Sequence, residues 1–396
     1  MSTANRIAFI CPRFAEQGTV GGAETLLGRL ATHAASRGVA VDFLTTCARN
    51  HHTWTNDDPP GAFDAAPGLR VHRFPVSEAR NLDTFLRIQE RICRNQDVSP
   101  ADQRAWMANS VHSPALYDHL RREGPNYHAI LGGPYLFGVP HDALLIHPDR
   151  SWLVPCLHDE SFAYQSIIRD LFHAVRGIIF NSEPEMELAR RLYDIPAFKG
   201  TVVGMGLDAF TADPAKFARS RNLSSPYVMY AGRREPLKGT PLLLDYLDAF
   251  RSRTGRDVKL VLAGSGDVPA PEALLPHIVD LGYASEEEKH EAMAGAAAFI
   301  HPSVNESFGI VLLEAFLART PGLVHAKGEV LRWQCERSGA GMWFRHYPEF
   351  ESMLLRLLDD ADLRRRMGDS GRAYVLREYN DRAIGDRLFS ALGVRV

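Results

Sequence analysis

The sequence predicts an α/β protein made of two doubly wound parallel-sheet units in succession. Three observations carry that reading. Apolar runs of strand length alternate with helix-length segments along most of the chain. The alternation pauses between Lys199 and Asp213, where Gly204, Gly206 and Pro214 punctuate it, and restarts at Tyr227. The chain has 396 residues, 45% hydrophobic and 23% charged, enough for two full cores. With no long linker between them, the two sheets are expected to face each other across a cleft. The expected domains are residues 1–208 and 209–378, with a terminal helix over about 379–396 packing back on the first.

In the first domain, Arg6–Cys11 reads as a strand. A loop follows, Gln17-Gly18-Thr19-Val20-Gly21-Gly22, and then a helix from Ala23 to Ser36. Leu26, Leu27, Leu30, Ala31 and Ala34 keep helical spacing there, and Gly38 ends the helix. Val39–Cys47 and Leu69–Val76 read as strands. Asn50–Pro67, rich in Asn, Asp, Pro and His, reads as loop. Ser77–Glu123 reads as mostly helical and polar, with Arg80, Arg87, Arg91 and Arg94 at roughly helical spacing. Those arginines suit a membrane surface or an anionic acceptor. Glu78, Asp83 and Glu90 dilute them, which favours a plain solvated face. Strand signals resume at His128–Gly132, Trp152–Leu157, Gly177–Asn181 and Thr201–Gly204.

In the second domain, strands are expected at Tyr227–Ala231, Lys259–Ala263, Ile278–Leu281, Ala297–Ile300 and Gly322–His325, with helices between them. Ser285 and Glu288 form a capping box. Glu349–Leu392 reads as charged helix broken at Gly368 and Gly371.

Composition narrows the function. A formal net charge of −3 argues against a general nucleic-acid binder. Met1–Phe14 contains no apolar run of signal-peptide length, and no stretch of ~20 apolar residues occurs. The five cysteines are scattered, without a CxxC or Cys/His cluster. A reduced cytoplasmic setting, with each thiol a small core residue, is the expectation. No metal is expected. No Asp-x-Asp pair follows a strand, His51-His52 has no further ligands nearby, and Asp360-Ala361-Asp362 reads as a helix start. A serine-hydrolase elbow and a Walker loop are absent.

The chemistry concentrates after strands. His301 to Glu314 runs strand, turn, helix, with Glu306 in the turn and Glu314 in the second turn of the helix. In open α/β sheets ligands bind beyond the carboxyl ends of the strands. Gly309, at the helix start, lets a ligand approach its N–H, and the helix dipole favours an anion there. Gly232-Arg233, then Lys238-Gly239, put two cations five residues apart after the restart strand, which suits a diphosphate. Gly264-Ser265-Gly266 resembles the start of a dinucleotide fingerprint, but Pro269 stands where the third glycine belongs. In the first domain, Gly21-Gly22-Ala23-Glu24 opens a helix where backbone N–H groups are accessible. His158, after the strand at Trp152, can hydrogen-bond a sugar hydroxyl or simply be a satisfied loop histidine.

Taken together, Gly232-Arg233 with Lys238-Gly239, Leu281-Gly282-Tyr283, and His301-Pro302-Ser303 leading to Glu306 and Glu314 resemble the retaining glycosyltransferases of family 4. The resemblance covers most of the second domain and the start of the first. It implies the GT-B fold, two Rossmann-like domains, with the nucleotide-sugar donor held mainly by the second. It implies that Glu306 contacts the donor sugar and Glu314 the ribose hydroxyls, and that Arg233 and Lys238 hold the diphosphate. Phe308, Gly309 and Ile310 would line the donor with backbone N–H groups at Gly309 and Ile310, and Tyr283 would lie near the base, beside Gly264 and Ser265. Gly21, Gly22 and His158 would close the site. The donor would be a UDP- or GDP-sugar, with no metal or cofactor. The acceptor would be a glycan or lipid-linked hydroxyl, with peripheral contact at the cytoplasmic membrane face. Ser307 stands where the family often has glycine, and Val324–Glu329 replaces a Gly-rich loop. A sugar-nucleotide isomerase on the same fold, and a non-catalytic nucleotide binder, stay open beside the transferase reading.

Overall fold

The computed structural model describes residues 6–14 and 21–394. The expected loop residues Gln17–Val20, and Met1–Asn5 of the segment read for a leader, lie outside them. The chain divides into two compact units: Met1–Gly206 with Asp381–Val396, and Leu207–Asn380.

The first unit contains an eight-stranded sheet. Its strands are β1 (Arg6–Ile10), β2 (Ala40–Thr46), β3 (Gly61–Ala66), β4 (Leu69–Phe74), β5 (Ala129–Gly132), β6 (Ser151–Leu153), β7 (Gly177–Phe180) and β8 (Gly200–Val202). Their order is β3-β4-β2-β1-β5-β6-β7-β8. All neighbours are parallel except β3 and β4. Ile7, Ala8, Phe9 and Ile10 of β1 are fully buried, as a strand covered on both faces requires.

Asn50–Pro67 is not all loop. β3 is an edge strand held by antiparallel pairing to β4, from Gly61 opposite Arg73 to Ala66 opposite Leu69. Most of its side chains are exposed, so it carries no apolar alternation for a sequence reading to detect. Ser77–Glu123 forms three helices: Leu82–Cys93, Pro100–Ala108 and Pro114–Glu123. Arg91 is paired with Asp102 at 2.9 Å and Arg94 with Glu90 at 2.7 Å, so half of the arginine row is neutralised within the chain.

The second unit contains β9 (Tyr227–Ala231), β10 (Lys259–Ala263), β11 (Ile278–Asp280), β12 (Ala298–His301), β13 (Gly322–His325) and β14 (Gly341–Phe344). The order is β11-β10-β9-β12-β13-β14, all parallel. Strand order reverses between β9 and β12, so the loops leaving those two strands open the crevice where doubly wound sheets bind ligands. The capping box forms: the Ser285 hydroxyl accepts the Glu288 N–H at 3.1 Å.

Gly368 and Gly371 do not break the terminal helical region. Both lie buried inside one helix, Ala361–Glu378. A Cβ on Gly368 would fall on the Arg319 carbonyl, and one on Gly371 would lie 2.7 Å from Ala340 Cβ. They are contact glycines, at which other elements approach the helix closely. The last helix, Asp381–Leu392, belongs to the first unit and buries Ile384, Leu388 and Leu392 there. Gly385 fits against His33, and Arg37 pairs with Asp386 at 3.3 Å.

Candidate functional site

In the second unit, the carboxyl edge of the sheet gathers the residues that the sequence singled out. The β9 loop runs Gly232, Arg233, Arg234, Glu235 and then one 3-10 turn, Pro236–Lys238. The β12 loop runs Pro302 to Gly309, where the helix Ile310–Leu317 begins. The two loops touch. Gly239 has φ 74°, and a Cβ there would stand 2.9 Å from the Pro302 carbonyl.

Across that contact the Lys238 ammonium meets Glu306, Nζ to Oε1 at 2.6 Å, with both side chains about one-fifth exposed. Lys238 Nζ also lies 3.5 Å from the Asn305 carbonyl. His301, at the end of β12, is buried beneath them, its Nε2 3.7 Å from Glu306 Oε1. Burial lowers its pKa, against the pull of Glu306 and with the help of Lys238, to about 4. The imidazole is therefore neutral at pH 7. Gly309 has φ 82°, and a Cβ there would meet Leu331 Cδ2 at 2.6 Å. The left-handed φ favours glycine at the entry to this helix, and the first N–H groups of a helix have no intrahelical partner. Phe308 is buried, and Ile310 is the first helical residue.

The adjacent arginines have different tasks. Arg233 is 62% exposed, with one nitrogen 3.4 Å from Glu235. Arg234 is buried and binds both oxygens of Asp280 at 2.7 Å, and also the Gly264 carbonyl. Burial would raise the Asp280 pKa, but Arg234 and the Gly282 N–H outweigh it and hold the group ionised. The loops after β9, β10 and β11 are thereby joined. Arg234 N donates to the Ser265 carbonyl at 2.7 Å, and Gly264 N to the Gly282 carbonyl at 2.7 Å. Gly264 has φ 119°, and a Cβ on it would fall on the Gly232 carbonyl. Gly264 and Ser265 thus build the site floor, where the sequence showed only an incomplete fingerprint. Tyr283, beyond β11, is 86% exposed.

Glu314 lies in the second turn of its helix and is not alone there. The Lys289 ammonium is 3.0 Å from Glu314 Oε2 and 2.8 Å from Glu286 Oε2. Burial would lower the Lys289 pKa, but Glu314 and Glu286 reverse that and raise it, so the ammonium stays charged. Among the described residues, Glu286, His290 and Glu314 present ligand atoms within 4.8 Å of one another. Lys289 already bridges the two carboxylates, so the chain itself supplies the cation.

Two further residues complete this edge, and the sequence reading missed both. Gln334 is fully buried and donates to the Phe308 carbonyl at 3.3 Å. Lys289 and Gln334 sit in helices whose own periodicity explains them as surface and core, and only the fold brings them to the loops.

The first-unit candidates lie at the carboxyl edge of their own sheet. Gly21 caps the helix Gly22–Ser36, and a Cβ on it would strike the Glu24 carboxylate. Glu24 forms a buried ion pair with Arg13, which follows β1. His158 follows β6, with Nδ1 3.7 Å from Glu160 Oε1. Tyr135 donates to the same carboxylate oxygen at 2.8 Å. Glu185 fixes the backbone just before His158, accepting the N–H groups of Leu157 and Asn181, each at 2.6 Å. Its burial pushes its pKa up to about 8 against those donors. Cys11, Cys47 and Cys335 are buried, Cys156 is half-buried and Cys93 is exposed. Among the described residues no helix is long and apolar enough to cross a membrane.

Residues 212–374 match the family Glycosyl transferases group 1. Alpha-D-kanosaminyltransferase of Streptomyces kanamyceticus is 30% identical over 172 residues, which cover 41% of this chain and 44% of that protein. D-inositol 3-phosphate glycosyltransferase of Nocardia farcinica is 25% identical over 408 aligned residues, covering 92% of this chain and 84% of the relative. Among solved structures, sucrose-phosphate synthase from Thermosynechococcus elongatus superposes with TM-score 0.72 at 17% identity, covering 98% of each chain. Anabaena Alr3699/HepE in complex with UDP and glucose gives TM-score 0.66 at 17% identity, covering 98% of this chain and 99% of that one. The chain has the GT-B fold, two Rossmann-like α/β units, and is a glycosyltransferase.

Proposed function

We propose that this glycosyltransferase is a retaining, family 4 enzyme that moves a hexosyl group from a nucleotide-diphosphate donor to a hydroxyl. The donor is a UDP- or GDP-sugar, the acceptor a glycan or lipid-linked alcohol, and the setting the cytoplasm, in surface polysaccharide or glycoconjugate synthesis. The observation that carries this reading is the Lys238–Glu306 pair at 2.6 Å beside the Gly309 helix start, at the sheet's switch point.

The chemistry follows from charge. Breaking the sugar–phosphate bond leaves negative charge on the diphosphate and positive charge at the sugar carbon. Lys238 and Arg233 supply fixed positive charge to the leaving group, and the N–H groups opening the helix at Gly309 supply oriented dipoles. Glu306, held by Lys238, accepts hydroxyl protons of the donor sugar in hydrogen bonds. Glu314, held by Lys289, does the same for the ribose. The departing phosphate oxygen takes the acceptor proton on the face it leaves, so configuration at the sugar carbon is retained. With the positive charge coming from side chains, the reaction needs no metal.

Peripheral membrane contact is part of the same proposal. The helix Leu82–Cys93 exposes Leu82 and Leu86, each at 48%, beside exposed Arg87. Vesicles of anionic lipid are expected to bind the chain in a salt-sensitive manner; absent binding would remove that part.

The test is nucleotide diphosphate release from a panel of UDP-, GDP-, ADP- and dTDP-sugars with candidate acceptors, with and without EDTA. Release from one donor, unchanged by EDTA and lost in Glu306→Ala, is the expected result. Thermal stabilisation by a nucleotide with no release under any condition would favour an isomerase or an inactive binder instead.

A further inference from the structure

The turn that presents the Gly309 N–H is held from behind by a buried polar network. Gln334 Nε2 donates to the Phe308 carbonyl at 3.3 Å. Its side-chain oxygen accepts the Tyr374 hydroxyl at 2.8 Å and the Tyr379 hydroxyl at 3.2 Å. The Tyr379 ring also packs edge-on against Phe308, 5.1 Å between centroids at 89°. Gln334, Tyr374, Tyr379 and Phe308 are all nearly or fully buried. A buried amide with these partners has one orientation that satisfies it, which makes it a geometric reference point.

The same tyrosine reaches the place where the chain crosses between its two units. The Tyr379 carbonyl accepts the Leu207 N–H at 2.8 Å. Leu207 is the first residue of the second unit, and Tyr379 stands one residue before its last, Asn380. Both crossings are thus tied to one another, and through one side chain to the Phe308–Gly309 turn.

We propose that Gln334, clamped by Tyr374 and Tyr379, is the positioning residue of the Phe308–Gly309 turn, and that an anion bound at this turn tightens the backbone at the Leu207–Tyr379 crossing through it. The inference rests on the reading of Gly309 as a phosphate-binding position. A phosphate drawn to the Gly309 and Ile310 N–H groups fixes the peptide that carries the Phe308 carbonyl. A fixed carbonyl holds the Gln334 amide, and a fixed amide holds the Tyr379 hydroxyl. Order at one end lowers the cost of order at the other.

The experiment is amide hydrogen exchange on the full chain with saturating UDP, GDP and inorganic diphosphate. It is run on wild type, Gln334→Met and Tyr379→Phe, with nucleotide affinity and donor KM measured in parallel. In wild type, ligand is expected to slow exchange in the 302–310 loop and at Leu207, the latter by ~10-fold. In Gln334→Met, affinity is expected to fall ~10-fold and donor KM to rise while kcat changes little. At saturation the Leu207 amide should then be no slower than without ligand. Tyr379→Phe keeps the ring against Phe308 and should lose the Leu207 response with a smaller loss of affinity.

Equal slowing at Leu207 in wild type and both variants would overturn the proposal. So would protection of the 302–310 loop without any at Leu207 in wild type. No protection of the 302–310 loop by any of the three ligands would overturn the reading of Gly309 itself, and this proposal with it. If Gln334→Met fails to fold, the wild-type pattern and Tyr379→Phe still decide.

Discussion

Glu306 Oε1 meets the Lys238 ammonium at 2.6 Å across the contact between the β9 and β12 loops. Each loop therefore supplies the counter-charge of the other. A donor diphosphate that draws on Lys238 changes the electrostatic surroundings of Glu306 and, beneath it, of His301.

Replacing Lys238 by alanine is expected to lower turnover by ~10²–10³, the scale for losing one preorganised donor. The same change has a second signature. Lys238 lowers the His301 pKa while Glu306 raises it, so His301 should titrate higher in Lys238→Ala. Unchanged turnover in donor cleavage, or an unmoved His301 resonance in NMR titration, would count against the arrangement.

Acid should destabilise the second unit well above the pH at which its carboxylates titrate. His301 and His290 both have folded-state values of about 4, lowered chiefly by burial from an ordinary 6.5. Between pH 6.5 and 4 the unfolded chain binds more protons than the folded one, so stability falls as pH falls through that window. His301→Gln should remove close to one proton from this difference. Melting temperatures of wild type and variant, compared from pH 7 to pH 4, should converge toward the acid end if His301 carries its share.

Lys289→Met strands Glu314 and Glu286 without their bridging cation. For a pair with side chains about 15% exposed, the loss should be ~2–4 kcal/mol, near the range for breaking a buried pair. Adding Glu314→Gln to Lys289→Met should recover much of it, because the uncompensated charge is gone. Chemical denaturation of the two single variants and the double variant measures the coupling directly.

Glycines with the same sign of φ should respond unequally. At Gly264 a Cβ would collide with the Gly232 carbonyl, whereas at Gly255, φ 67°, it would meet nothing within 4 Å. Gly255→Ala should cost only about 1 kcal/mol of left-handed strain. Gly264→Ala should cost ~3 kcal/mol or more and displace the floor of the site. Denaturation midpoints of equal size would remove the close approach as the reason for Gly264.

Much of this architecture was legible along the chain, for an identifiable reason. Parallel strands buried on both faces are continuous apolar runs, and β9, β10, β12 and β13 stand within a residue of where those runs end. β3 was not legible, because an exposed edge strand is stabilised by its partner's backbone and leaves no pattern in its side chains. Gly368 and Gly371 misled in the other direction. A helix tolerates glycine where a neighbouring backbone or side chain needs the room, and the sequence does not say what lies outside the helix. At the site, Arg233 and Arg234 are neighbours of identical type. Burial of one against Asp280 and exposure of the other is a property of the loop, not of the residues. Lys289 and Gln334 reach the site from helices distant in sequence, so spacing held no trace of them.

The return of helix Asp381–Leu392 to the first unit sets an order of assembly during translation. The second unit is one uninterrupted stretch, Leu207–Asn380, and can close as soon as it has been made. The first unit begins earlier but cannot finish, because its helix Gly22–Ser36 lacks its cover until the final helix emerges. At ~5–20 residues per second, the intervening stretch holds that face open for roughly 10–35 s on the ribosome. A helix face left uncovered for so long is one that nascent-chain chaperones have time to find.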